Sequence, residues 1–180
     1  FLEPPKQQLD NLLKCYQTGR YVDAEKLSLS ITQKFPEHPF AWKVLAVVLK
    51  LTGRISESLV ASQKSVQLNP QDAEAQKNLG VILLEMGRLN EAEASYRKVI
   101  ELKPNFTEAY NNLGIIMQRL GRLDEAEASY KKAITLKPDY TEVYYNLGII
   151  MQRLGKLDEA EASFRQAIEI KPDYTEANYN

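Results

Sequence analysis

Four asparagines stand 34 residues apart in this 180-residue chain: Asn78, Asn112, Asn146 and Asn180. A carboxamide offers two donors and an acceptor, so a row of them can pair with the backbone of another polypeptide whatever its side chains. Bond-making chemistry has less to work with. The single histidine, His38, lies between Glu37 and Pro39 in a turn. No site with several imidazoles can be built, and any Ser–His–Asp or Cys–His arrangement would depend on that residue. The single cysteine, Cys15, cannot form an internal disulfide. It sits in a helical pattern beside Tyr16 and reads as a buried, small apolar residue. Its solitude fits a reducing, cytoplasmic setting or indifference to redox. The E-A-E-A runs pair carboxylates at helix starts, where capping explains them better than acid–base work. The glycines are too far apart to cradle a phosphate. The chain is therefore expected to hold no catalytic constellation, no metal and no cofactor.

Charge narrows the partners. Lys and Arg total 23 against 24 Asp and Glu, a formal net charge of −1. Without a basic excess to neutralise phosphates, a primary nucleic-acid role is not expected. No apolar run approaches the 18 residues of a membrane span, so no membrane insertion is expected. The opening FLEPPKQQ has neither the basic nor the apolar region of a secretory signal. It also begins without Met, as a processed or trimmed chain would.

The elements that must position the asparagines repeat with the same period. Pro36, Pro70, Pro104, Pro138 and Pro172 recur every 34 residues, as do Gly19, Gly53, Gly87, Gly121 and Gly155. Two helix-punctuating residues in lockstep mean a tandem array. Its units are 5–38, 39–72, 73–106, 107–140 and 141–174, and TEANYN at 175–180 restarts the unit. A parent protein that continues is the expectation. Within a unit two helices alternate. Tyr110, Leu113, Ile116, Met117 and Leu120 share one helical face, Gly121 stops that helix, and Ala126, Tyr130, Ala133 and Ile134 line the next. Asn105, Asp139 and Asp173 each stand three before a Glu, as do Asn90, Asp124 and Asp158, which predicts N-caps at those positions. Gly80, Gly114 and Gly148 fall in mid-helix, where glycine costs about 1 kcal/mol relative to alanine. Close packing against Ala92, Ala126 and Ala160 would justify that cost, with Tyr96, Tyr130 and Phe164 filling the space between pairs. No β-type alternation of useful length occurs.

The 34-residue helix–turn–helix unit, with L-G early, A-x3-aromatic later and Pro near its end, resembles the tetratricopeptide repeat (TPR) family. The match is nearly position for position across 73–174. It is looser across 5–72, where Leu12 and Ala46 replace the mid-helix glycine and Ser58 and Ser65 replace small alanines. An end repeat that must solvate one face accounts for that divergence. The resemblance implies an all-α fold, a right-handed superhelical α-solenoid of antiparallel helix pairs forming a single array over 1–180. The first helix of each unit would line the inner face.

On that pattern the second, fifth, sixth, ninth, twelfth and thirteenth positions point inward. They hold the four asparagines, an apolar strip of Val81, Ile115 and Ile149, and Asn111 and Tyr145 beside them. Gln118, Gln152, Arg119 and Arg153 run along one margin. This is the expected peptide-binding groove, and Tyr145 and Tyr179 could stack on a ligand. The asparagine ladder is similar to that in the superhelix of O-linked N-acetylglucosamine transferases, which hold extended polypeptides. Asn at this position could equally fix packing or helix solvation. Glu74, Glu108, Glu142 and Glu176 at second positions are read as capping-box members. With Val or Ile at ninth positions and Glu at most second positions, a carboxylate clamp for chaperone C-termini is not expected. The expected function is a scaffold binding a peptide or partner-protein segment. The alternative is the N-terminal substrate-recognition region of a larger enzyme, of glycosyltransferase or sulfotransferase type. Self-association through terminal repeats is a third possibility.

Overall fold

A computed structural model describes residues 3–173 of the protein. Among the described residues it is all α. Ten helices follow one another: α1 (Lys6–Gln17), α2 (Tyr21–Lys34), α3 (Pro39–Leu51), α4 (Ile55–Leu68), α5 (Ala73–Glu85), α6 (Leu89–Leu102), α7 (Thr107–Arg119), α8 (Leu123–Leu136), α9 (Thr141–Arg153) and α10 (Leu157–Ile170). They fall into two compact units that divide at Ser95 and Tyr96. In the first unit α1 packs on α2 and α3, α3 on α2 and α4, and α5 on α4 and α3. In the second, α7 packs on α8, α9 on α10 and α8, and α9 also touches α7. First helices of successive pairs thus meet directly within each unit.

The turn inside each pair is set by glycine. Gly121 has φ +75°, a conformation that L side chains rarely adopt. Its N–H donates to the Gln118 carbonyl at 3.2 Å, and the Arg122 N–H donates to the Met117 carbonyl at 2.9 Å. This is a Schellman ending. The same turn recurs at Gly19, Gly53, Gly87 and Gly155. Arg122 then does double duty: its own carbonyl accepts the Ala126 N–H at 3.0 Å, so it is also the N-cap of α8.

That economy corrects the expected caps. Asp124 and Asp158 lie in the first turns of α8 and α10, and Asn90 is the second residue of α6. The cap place is already taken by the turn's basic residue, and neither α8 nor α10 has a side-chain cap. Arg122 instead grips Glu125 with two donors, each at 2.6 Å. Before α7 and α9 the N-caps are Phe106 and Tyr140, which make no side-chain cap, so Asn105 and Asp139 stand one residue too early. Asp173 precedes residues outside the described span. Asp72 does make a side-chain cap, at the start of α5, accepting from the N–H groups of Glu74 and Ala75 at 2.9 and 3.1 Å. The fourth residue of three first helices secures the preceding turn: Trp42, Gln76 and Tyr110 donate to the carbonyls of Pro36, Pro70 and Pro104.

Gly114 and Gly148 lie nearest to an aromatic ring and not to the expected alanines. A Cβ placed on Gly114 would stand 2.5 Å from the Tyr130 ring, and one on Gly148 would stand 2.5 Å from the Phe164 ring. The aromatics therefore fill the space inside their own pair. The first pair exchanges the two volumes. At the positions equivalent to Gly114 and Tyr130, the first pair has Leu12 and Ser28 and the second has Ala46 and Ser62. All four are at most 1% exposed. In the first pair a large residue on one helix is matched by a small one on its partner, as constant packing density requires, whereas the second pair has two small residues at these positions. In the second pair Ser58 adds a tether, donating to the Ala46 carbonyl at 2.6 Å.

Two outcomes follow for stability. Gly114→Leu should cost on the order of 2 kcal/mol through overpacking, and Tyr130→Ser about 3 kcal/mol or more through the cavity it leaves. The double variant, which copies the first pair's arrangement, should lose clearly less than the sum; additive losses in urea unfolding would show that the two sites are independent. For Asp72, burial alone would raise the carboxyl pKa, but Lys43 at 2.6 Å and the two backbone N–H groups hold it below the usual 3.8. Its contribution is thus complete above that value and is lost as pH falls through the depressed folded one. Asp72→Ala should cost about 1 kcal/mol at neutral pH, and the gap to the parent protein should close in acid. A gap that persists at low pH would exclude the carboxylate as its source.

Candidate functional site

In the second unit the sites of interest lie on α7 and α9. Both helices begin with T-E and end with I-I-M-Q-R, so side chains at equal phase repeat from one to the other. Leu113, Ile116 and Met117 on α7, and Leu147, Ile150 and Met151 on α9, turn into the core. That burial leaves Asn112, Ile115, Asn146 and Ile149 half-buried at the surface.

The amides are not equivalent. Asn146 Nδ2 donates to Asn111 Oδ1 at 3.5 Å, and Asn111 also shares a hydrogen bond with Tyr140. Asn111 is 4% exposed. It is therefore a buried hub joining α7, α9 and the turn that precedes α9, below the surface to which its position in the repeat assigns it. Asn146 keeps its carbonyl and one donor for other partners. Among the described residues no hydrogen bond engages the Asn112 amide. Burial raises the Tyr140 hydroxyl pKa, with Glu142 and Glu108 adding to the effect, so it stays protonated as a hydrogen-bonding group at neutral pH.

The other expected groove residues separate by role. Tyr145 lies against Phe164, with ring centroids 5.8 Å apart at 54°, which makes it part of the α9–α10 packing. Gln118 accepts from the Tyr130 hydroxyl at 3.1 Å. The Tyr130 hydroxyl is itself pushed well above its usual pKa, first by burial and then by Glu142. Gln152, whose counterpart ring is Phe164, has no such donor opposite it and is exposed. Arg119 and Arg153 are exposed in the last turns of α7 and α9, where a positive charge suits the helix C-terminus. Asn180 and Tyr179 lie outside the described residues.

In the first unit the equivalent face is built from different chemistry. Leu13, Tyr16, Phe40, Val44 and Val47 line a groove of about 220 Å³, with Lys43, Lys77, Glu74 and Asn78 beside them. Lys43 pairs with Asp72 at 2.6 Å, and Lys77 with Glu74 at 2.8 Å. Lys43 also lies 5.8 Å from the Phe40 ring centroid. Val81 is half-buried near Asn78 on α5. The signal for this groove was present in the sequence. Phe40, Lys43, Val44 and Val47 hold the second, fifth, sixth and ninth positions of their unit, the phase at which Asn78 stands in the next.

Groups associated with reaction chemistry are dispersed. His38 is half-buried in the turn before α3, its Nδ1 without a hydrogen-bond partner, and burial lowers its pKa, with Glu3 opposing. Cys15 is buried with Leu12, Ala24 and Ile31, and its sulfur accepts from Arg20 Nη2 at 3.1 Å. Among the described residues no three His, Cys, Asp or Glu side chains form a group that could hold a metal ion. No described helix is long and apolar enough to cross a membrane.

Among solved structures, a MamA protein is similar at 24% identity, covering 96% of this chain and 93% of that one with a TM-score of 0.84. YrrB, a TPR protein with an unusual peptide-binding site, is similar at 18% identity, covering 98% and 91% with a TM-score of 0.89. MamA from Desulfovibrio magneticus RS-1 gives 19% identity, 94% and 96% coverage, and a TM-score of 0.86. At these identities the likeness establishes the fold, an all-α array of helix pairs. No curated protein matches the chain significantly. Three family models do: a tetratricopeptide repeat model over residues 106–173, a TPR repeat model over 80–121, and a second tetratricopeptide repeat model over 61–94. Together these cover 61–173 without a gap, and the chain is a tetratricopeptide repeat protein.

Proposed function

We propose that this chain is a protein-interaction scaffold that holds an extended segment of a partner protein against its first helices. The observation that carries the reading is the pair Asn112 and Asn146. They stand at the same phase on adjacent helices, with amide groups left over after the fold's own hydrogen bonds are counted. Amides of this kind can bond peptide carbonyl and N–H groups without regard to side chains, so broad sequence tolerance is expected. Ile115 and Ile149 flank them as half-buried apolar ground. The peptide-binding site named for YrrB, which shares the fold, supports a peptide as the class of ligand. Asn78 and Asn180 extend the same series in the sequence. In the first unit, the Phe40–Val47 groove by itself offers a place for apolar side chains of a peptide.

The second reading is that the chain is the substrate-recognition region of a longer enzyme. The asparagine series favours it, since a backbone-reading surface suits an enzyme that modifies many sequences. Both readings use the same surface. They part on whether a catalytic domain belongs to the same gene product, which the reading frame around the segment decides.

The common surface is tested with an array of unstructured peptides of mixed sequence. Asn112→Ala with Asn146→Ala should lower retention across the array by about tenfold, as expected for two lost backbone hydrogen bonds, with far-UV helicity unchanged. Retention equal to that of the parent protein would overturn the reading. Loss confined to a few sequences would show side-chain readout instead.

A further inference from the structure

Helices α7 and α9 each carry a ridge of side chains in the same chemical order. On α7 it is Glu108, Asn112, Ile115 and Arg119, and on α9 it is Glu142, Asn146, Ile149 and Arg153. Steps of four, three and four residues keep each ridge on one face of its helix. The acids and arginines are exposed, and the amides and isoleucines are half-buried. Exposure on α7 matches that on α9 residue for residue, although α9 packs beside α7. A neighbouring first helix therefore leaves the ridge open.

The acids have no task in the fold that accounts for them. Glu108 and Glu142 are the second residues of their helices, and the N-caps Phe106 and Tyr140 make no side-chain cap, so no capping box closes. Among the described residues neither acid joins an ion pair, and nor does Arg153. The equivalent positions of α5 are engaged. Glu74 pairs with Lys77 at 2.8 Å, and Glu85, in the place of the arginine, pairs with Lys50 at 2.8 Å. The helix dipole favours an acid at the start and a base at the end. It does not account for an amide and an isoleucine set between them on one ridge.

We infer that this face selects an extended partner segment with basic side chains along one edge and acidic side chains along the other. The inference rests on the peptide-binding reading of Asn112 and Asn146 and names the class of segment. An extended chain hydrogen-bonds in the plane of its pleat, and its side chains leave alternately to either side of that plane. With its backbone turned to the amides, successive side chains point along the helices, first toward one end and then the other. One set meets Glu108 and Glu142, about 6 Å along the helix from the amides; the other meets Arg119 and Arg153, about 10 Å away in the opposite direction. Backbone bonds then supply affinity, and the alternation of charge decides which segment is held.

The test compares two unstructured peptides of equal length and composition, one alternating Lys and Glu, the other repeating Lys-Lys-Glu-Glu. Only the first sorts its charges to opposite edges. The parent protein should bind it about tenfold more tightly at low salt, and added salt should erase the difference. Glu108→Lys with Glu142→Lys makes both edges basic. That variant should lose the preference and bind an all-glutamate peptide about tenfold better than the parent does, a gain that misfolding cannot produce. Equal binding of the two peptides overturns the inference, as does binding of neither. If binding is equal but is lost with Asn112→Ala and Asn146→Ala, the peptide-binding reading stands without the charged edges. A charge preference that survives those two substitutions at full strength overturns the backbone reading beneath the inference.

Discussion

The fold depends on the contact between the mid-helix glycine and the aromatic ring of its partner helix. Gly114 meets Tyr130, and Gly148 meets Phe164, at a separation that would place an added Cβ inside the ring's van der Waals envelope. Glycine is a poor helix former, and its recurrence here is explained by that approach. The aromatic ring fills the space that the absent side chain leaves, so both helices keep native packing density. The first pair departs from this solution yet conserves volume, since Leu12 faces the register of Ser28. That pair is thus a different partition of one core volume between the same two helices, whereas the second pair places two small residues, Ala46 and Ser62, at these positions.

A second constraint is the short turn between helices of a pair. The glycine in the left-handed region and the basic residue after it close one helix and open the next within a few residues. The basic side chain is then held at the surface, close to an acid one turn along its own helix and to the preceding pair. Arg54 uses both, pairing with Glu57 and Glu25. Exposed ion pairs of this type add little stability each. Their value is in register, since a chain that slips by one residue loses every one of them.

From these two constraints the surface chemistry follows. Helices held in fixed phase bring equal positions of successive first helices side by side, which is why Asn146 can reach Asn111 across α9 and α7. A periodic sequence then becomes a periodic surface. The first unit spends the same positions on Phe40, Lys43, Val44 and Val47, so the two units offer apolar and amide surfaces respectively.

Much of this was legible in the chain itself. The 34-residue spacing of Pro and Gly and the apolar faces of the helices are local in origin, and they determined helix content, turn positions and the phase of Asn78, Asn112 and Asn146. The partners of those residues were not legible. A cap box can be read at Asn105 or Asp139, yet the chain turns one residue later and leaves it unused. Asn111 and Asn112 are adjacent and chemically identical, yet one is a buried hub and the other is left at the surface. Gly114 has Ala126 and Tyr130 on the facing helix, and only the distance to the ring tells which one it accommodates. Periodicity states which face a residue is on, because 3.6 residues make a turn. Which neighbour it meets depends on the separation of two helices, and that is decided by side-chain volumes summed across the interface.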